Sequence, residues 1–140
     1  KELIAADSNI CRNYKLLTSI KGVGPITAIV MLCSTLNFTK ITDHRKFACY
    51  CGLAPFEHSS GTSVRGGCHT SSMANRDIKV QLNRSALIAI RCDPQLKAYY
   101  ERKVAEGKHK FSVLNAVRAK IAARCFAVVR RGTPYVALQI

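Results

Sequence analysis

The chain has 140 residues, 48% of them hydrophobic, which is the length of one ordinary domain with enough apolar material for a real core; residues 1–140 are therefore expected to form a single domain. Twenty-two Lys and Arg against eight Asp and Glu leave a formal net charge of +14, far more than solubility requires, so a polyanionic partner is expected, nucleic acid above all. A membrane partner is not expected, because the longest apolar run, Ile26 to Leu36, is broken by Thr27, Ser34 and Thr35 and is too short to span a bilayer.

No signal peptide is visible, and the seven cysteines are an odd number, several of them inside apolar helical patterns; this reads as reduced thiols in a bacterial cytoplasm. Cys49-Tyr50-Cys51 with His44 and His69 matches the spacing of no common zinc finger, so these cysteines read as small buried apolar residues, and no metal ligands are assigned. The chain opens at Lys1 in what reads as mid-helix, so a fragment of a longer protein is expected.

The first predicted helix runs from about Leu3 to Ile20, with Ile10, Tyr14 and Leu17 at helical spacing. Lys21-Gly22-Val23-Gly24-Pro25 breaks it, and Pro25 then suits the first turn of a second helix, whose stripe continues through Ala28, Ile29, Met31, Leu32 and Leu36. Asp43 is the expected N-cap of a short helix through Phe47, Ala48 and Tyr50 that stops at Gly52. The polar run from Glu57 to Ser72 reads as a loop or a small hairpin. Helical signals return at Asn75, with Ile78, Leu82, Ala86 and Ala89 on one face, and Asp93-Pro94 caps a further helix carrying Leu96, Tyr99, Tyr100 and Val104 to Gly107. The last helix is expected from about Ser112 to Arg131 on the stripe Leu114, Val117, Ile121, Cys125 and Val128, stopped by Gly132-Thr133-Pro134. The fold class is all-α, with a helix-hairpin-helix motif and one polar Ser/Gly-rich loop.

Two constellations carry chemistry. In the first, Leu17 to Ile29 resembles a helix-hairpin-helix: Gly22 and Gly24 turn the chain tightly, exposed amides and the next helix N-terminus face a phosphate, and Lys21 adds a cation. Its bland alternative is a glycine-rich corner with no ligand. The second is the hydroxyl-rich loop. Serine attack at phosphorus needs a group to take its proton and cations to hold the non-bridging oxygens. His58, Arg65 and His69 lie near in sequence, and Arg76, Lys79 and Arg84 follow on the next helix, although a solvated loop has the same composition. The eight acids are scattered, so no divalent-metal centre is assembled from them.

The order Gly22-Val23-Gly24-Pro25, Cys51-Gly52-Leu53-Ala54-Pro55, Ser60-Gly61, Arg65-Gly66 and Asn75 with Lys79 resembles the C-terminal transposase domain of the Piv-like recombinases, the transposases of insertion-sequence family one-hundred-and-ten together with the Piv invertase. The resemblance covers roughly Leu16 to Arg131. It implies a two-part enzyme in which an N-terminal RuvC-like domain, absent from this chain, binds magnesium through acidic residues, while the C-terminal domain supplies a serine that becomes covalently linked to DNA. It also implies a structured guide RNA and a homo-oligomer. Carried over by position, the nucleophile is Ser60, with Ser59 its nearest competitor and Arg65, His58 and His69 as its partners. Lys21, Gly22, Gly24, Arg76, Lys79 and Arg84 are the expected nucleic-acid contacts. Family members commonly show Gly-Asn and then arginine after the loop, where this chain has Ala74-Asn75 and Lys79. The expected function is the DNA-binding, serine-supplying part of a transposase, with no cofactor of its own and no recombination by the fragment alone. The alternative is a non-enzymatic helix-hairpin-helix module that grips nucleic acid by its backbone.

Overall fold

Polar side chains set the starts of five of the six described helices. Asp7 accepts hydrogen bonds from the amides of Asn9 and Ile10, Asp43 from Arg45, Asn75 from Asp77 and Ile78, Asp93 from Gln95 and Leu96, and the His109 imidazole from Phe111. Each satisfies an amide that the first helical turn leaves without a partner. The computed structural model describes residues 7–53 and 75–137 and, between them, the backbone of Ser59–Ser60 and Val64–Arg65. Its elements are helices α1 (Ser8–Thr18), α2 (Pro25–Thr35) and α3 (His44–Tyr50), strands β1 (Ser59–Ser60) and β2 (Val64–Arg65), and helices α4 (Arg76–Cys92), α5 (Pro94–Ala105) and α6 (Lys110–Arg131). The all-α class holds, and the polar run contributes one small antiparallel hairpin.

Three helix boundaries among the described residues differ from the sequence reading. The first helix begins after the Asp7 cap and ends at Thr18, and the last begins at Lys110 because His109 caps it. Two side chains expected on the buried stripe of α2 are exposed, Ile29 by 39% and Leu36 by 58%. The face that packs is Thr27, Ala28, Met31, Leu32 and Thr35, and Leu36 already lies beyond the helix in a left-handed conformation, φ 47°.

Helix α6 is the central element, packed by α1, α3, α4 and α5. Its Val117, Ile121, Cys125 and Val128 are buried, as are Ile78, Leu82, Ala86 and Ala89 of α4. Each fully buried aliphatic side chain contributes about 1.5–3 kcal/mol. Phe126 of α6 meets Phe38 edge-on at 4.9 Å and Phe47 at 5.4 Å between ring centroids, which ties α3 and the segment after α2 to the core.

The α1–α2 turn is fitted to α4. Gly22 has φ 93°, and a Cβ there would stand 2.7 Å from the Ser85 carbonyl oxygen and 2.8 Å from the Ala89 side chain. Beside it the Thr27 and Ser85 hydroxyls share a buried hydrogen bond of 2.9 Å. Glycine at position 22 thus answers both a left-handed backbone and the close approach of α4.

Candidate functional site

The hydroxyl-rich loop is framed by main-chain carbonyls held from two other helices. After α3 the amide of Leu53 donates to the Ala48 carbonyl at 2.8 Å. The Lys79 ammonium of α4 donates to the Gly52 carbonyl at 3.0 Å, and the Asn115 amide of α6 to the Leu53 carbonyl at 2.8 Å. On the far side of the loop the amide of Asn75 donates to the Tyr50 carbonyl at 3.1 Å, while its side chain caps α4. The chain therefore leaves the helical body and rejoins it at adjacent points.

Arg118 stands behind this frame. Its guanidinium donates to the side-chain oxygens of Asn83 at 2.6 Å and Asn115 at 3.4 Å. The second contact turns the Asn115 amide so that its nitrogen faces Leu53. The buried Nε of Arg118 has no hydrogen-bond partner among the described residues, and burial lowers the guanidinium from its usual value. Neutral amides surround a cation here, with no carboxylate paired to it among the described residues.

Within the loop, β1 and β2 pair antiparallel with Ser59 opposite Arg65 and Ser60 opposite Val64. That register sets the backbone of the expected nucleophile beside the strand that carries Arg65. The side chains of Ser59, Ser60 and Arg65, and the whole of His58 and His69, lie outside the described residues. Arg76 and Arg84 are exposed on α4, whereas Lys79 is half-buried and has one of its three donors on Gly52. Lys21 is exposed and Gly24 has open space around it, while Gly22 faces α4. Asn83, Asn115 and Arg118 were not legible as site residues. Their one local signal is polarity beside the apolar stripes of α4, for Asn83, and of α6, for Asn115 and Arg118.

Magnesium does not fit the described residues. No three His, Cys, Asp or Glu side chains gather among them, and Asp7, Asp43 and Asp93 each have an oxygen engaged on a helix start.

This framed loop lies in a chain that belongs to the IS116/IS110/IS902 transposase family, whose sequence profile matches residues 14–101, more than half of the chain. Among its relatives, an uncharacterized 43.6 kDa protein of insertion element IS110 from Streptomyces coelicolor is 39% identical over 121 residues, covering 86% of this chain and 29% of that protein. The pilin gene-inverting protein of Moraxella bovis is 24% identical over 135 residues, covering 96% of this chain and 42% of the relative. An uncharacterized 42 kDa protein of insertion element IS900 from Mycobacterium paratuberculosis is 30% identical over 112 residues, with 79% of this chain and 28% of the relative covered. The chain thus spans less than half the length of each of these relatives.

Proposed function

We propose that this chain is the DNA-handling part of an insertion-sequence transposase or recombinase and that Ser60 is its nucleophile. In the reaction the Ser60 oxygen bonds to the phosphorus of a DNA phosphodiester, and its proton passes to a neighbouring base, for which His58 and His69 are the candidates. The bond from phosphorus to one sugar oxygen breaks, and that oxygen leaves as a hydroxyl after taking up a proton. Arg65 balances charge on the non-bridging oxygens.

The observation that carries the reading is the frame. A hydroxyl-rich segment of this composition has no core of its own to position it, yet both of its ends are tied to the helical body through Gly52, Leu53 and Asn75. Family membership supports the reaction class, as does the name of the Moraxella relative, a gene-inverting protein. A structured guide RNA and a homo-oligomer belong to the same proposal and rest on the resemblance.

The test is Ser60→Ala in the full-length protein, with recombination and a DNA–protein adduct measured together. Loss of both, with DNA binding retained, is the expected result. Unchanged recombination would remove the catalytic role from Ser60 and leave a backbone-gripping module; transfer of the adduct to Ser59 would place the nucleophile one residue earlier.

A further inference from the structure

Helices α5 and α6 enclose a groove of about 770 Å³ whose walls carry Tyr99, Arg102, Lys120 and Arg124. It meets a second depression of about 340 Å³ that shares Gln95 and Arg124 and ends at Arg131 and Tyr135. Together they form one trough along the outer side of α6, with cations at positions 120, 124 and 131 and alanines at 123 and 127 between them. The small side chains leave the floor open.

Aromatic rings hold these cations more than carboxylates do. The Lys120 ammonium lies 4.4 Å from the centre of the Tyr99 ring, the Arg102 guanidinium 5.8 Å from the same ring, and the Arg124 guanidinium 4.8 Å from that of Tyr135. A ring face orients a cation without cancelling its charge, which leaves it available to an anion. Among the described residues neither Lys120 nor Arg131 is ion-paired, and the Arg102–Glu106 pair is loose at 3.8 Å with both side chains well exposed. Arg131 is held instead by neutral oxygens, the Thr133 hydroxyl and the Pro134 carbonyl. Only Arg124 is committed, to the buried Asp93 at 2.7 Å.

We propose that this trough is a second nucleic-acid site, which seats the phosphates of one backbone strand along Lys120 and Arg131 while Arg102 reaches in from the α5 wall and Arg124, paired to Asp93, holds the floor between them. Lys120 and Arg131 are about 16 Å apart at 1.5 Å per residue. One strand of a duplex presents a phosphate about every 3.4 Å of helix axis, so a trough of this length faces several of them. Lys120 also stands about 140° around α6 from Asn115, so the trough and the loop frame use different faces of the helix. The inference rests on the reading that this chain handles nucleic acid, and it goes beyond the contacts expected at the α1–α2 turn and on α4.

The test is a salt titration of binding to a labelled DNA duplex and, separately, to an RNA strand of equal length. The comparison is between the wild type, the triple variant Arg102→Ala/Lys120→Ala/Arg131→Ala, and a control that removes three exposed charges elsewhere, Arg12→Ala/Lys15→Ala/Lys40→Ala. The trough variant is expected to lower the slope of log K against log salt by about 2–3, at about 0.9 per phosphate, and to weaken binding at least about tenfold. The control should move the slope by less than about 1. Whichever ligand shows the drop is the one the trough seats. Tyr99→Phe should bind as wild type and Tyr99→Leu should lose part of the slope; Lys120→Glu provides a single exposed-site variant that leaves the packing alone. A trough variant that behaves like the control overturns the site while leaving the general reading in place. A wild type that binds neither ligand overturns both.

Discussion

The amide of Asn75 donates to the carbonyl of Tyr50 at 3.1 Å, so two residues on opposite sides of the polar loop are joined by one main-chain hydrogen bond. With Lys79 on Gly52 and Asn115 on Leu53, this bond converts a long excursion of chain into a segment with defined end points. Asn115→Leu leaves the buried Leu53 carbonyl without its side-chain donor and Arg118 with one acceptor fewer. Stability measured by urea unfolding should fall by about 1–3 kcal/mol. In the full-length protein the same variant should reduce recombination by more than its loss of folded protein accounts for. Full activity at reduced stability would mean that the frame does not position the nucleophile.

The fit of Gly22 against α4 sets a second expectation. Gly22→Ala meets both a φ of 93° and the Ser85 oxygen at 2.7 Å, whereas Gly24 has φ −87° and open surroundings. The first substitution should cost about 2–4 kcal/mol, from left-handed strain together with overpacking. Gly24→Ala, at an N-cap where alanine is the poorer residue, should cost less, about 0.5–1 kcal/mol. Equal losses in thermal melts would show that the close approach of Ser85 is not what position 22 answers to.

Asp93 links stability to pH. Burial by itself raises its carboxyl, but the hydrogen bond and charge of Arg124 and the amides of Leu96 and Gln95 outweigh that effect and hold it below the usual range. A carboxylate depressed in the folded state adds stability above its unfolded value, near 3.9, and that stability is lost as pH falls through the folded value. Asp93→Asn should therefore be less stable than wild type at neutral pH by roughly 2–4 kcal/mol, because Arg124 loses its charge partner. The gap should narrow from about pH 5 downwards. A gap in urea unfolding that stays constant between neutral pH and about pH 3.5 would contradict the assigned ion pair.

The cysteines divide by burial. Cys51 and Cys125 are fully buried, and burial pushes each thiol up to about 12, while Cys33, Cys49 and Cys92 are exposed. Because the thiolate is the reactive form, a short pulse of iodoacetamide should label the exposed three in the native protein and reach Cys51 and Cys125 only after unfolding. Peptide mass spectrometry reads this directly. Labelling of Cys51 as fast as Cys49 would place the α3 end outside the core.

Much of the fold is legible without coordinates, because its signals are local. An Asp before a helix meets the amide two residues on, as Asp43 does, or those two and three on, as Asp93 does, and the stripes Ile78, Leu82, Ala86, Ala89 and Leu114, Val117, Ile121, Cys125, Val128 face the core as their spacing implies. Strong positive charge and a hydroxyl-rich loop between helices are likewise properties of the chain itself. Local pattern fails where distant elements meet. The cysteines of the Cys49-Tyr50-Cys51 stretch read alike as small core residues, yet Cys51 is buried and Cys49 exposed, since residues two apart at the end of a helix lie about 200° around it and face opposite sides.

By itself, then, the order of residues determined six helices with most of their inward faces, the polar break between them and the electrostatic character of the surface, because caps and periodicity act within a turn or two of chain. Tertiary structure alone decided that Lys79 would hold Gly52, Asn115 hold Leu53 and Arg118 meet Asn83, partners 27, 62 and 35 residues apart, and that Tyr99 would stand under Lys120 across a groove. Those contacts exist only once helices pack at a particular register, and packing sums many weak apolar contacts that no short stretch of sequence contains.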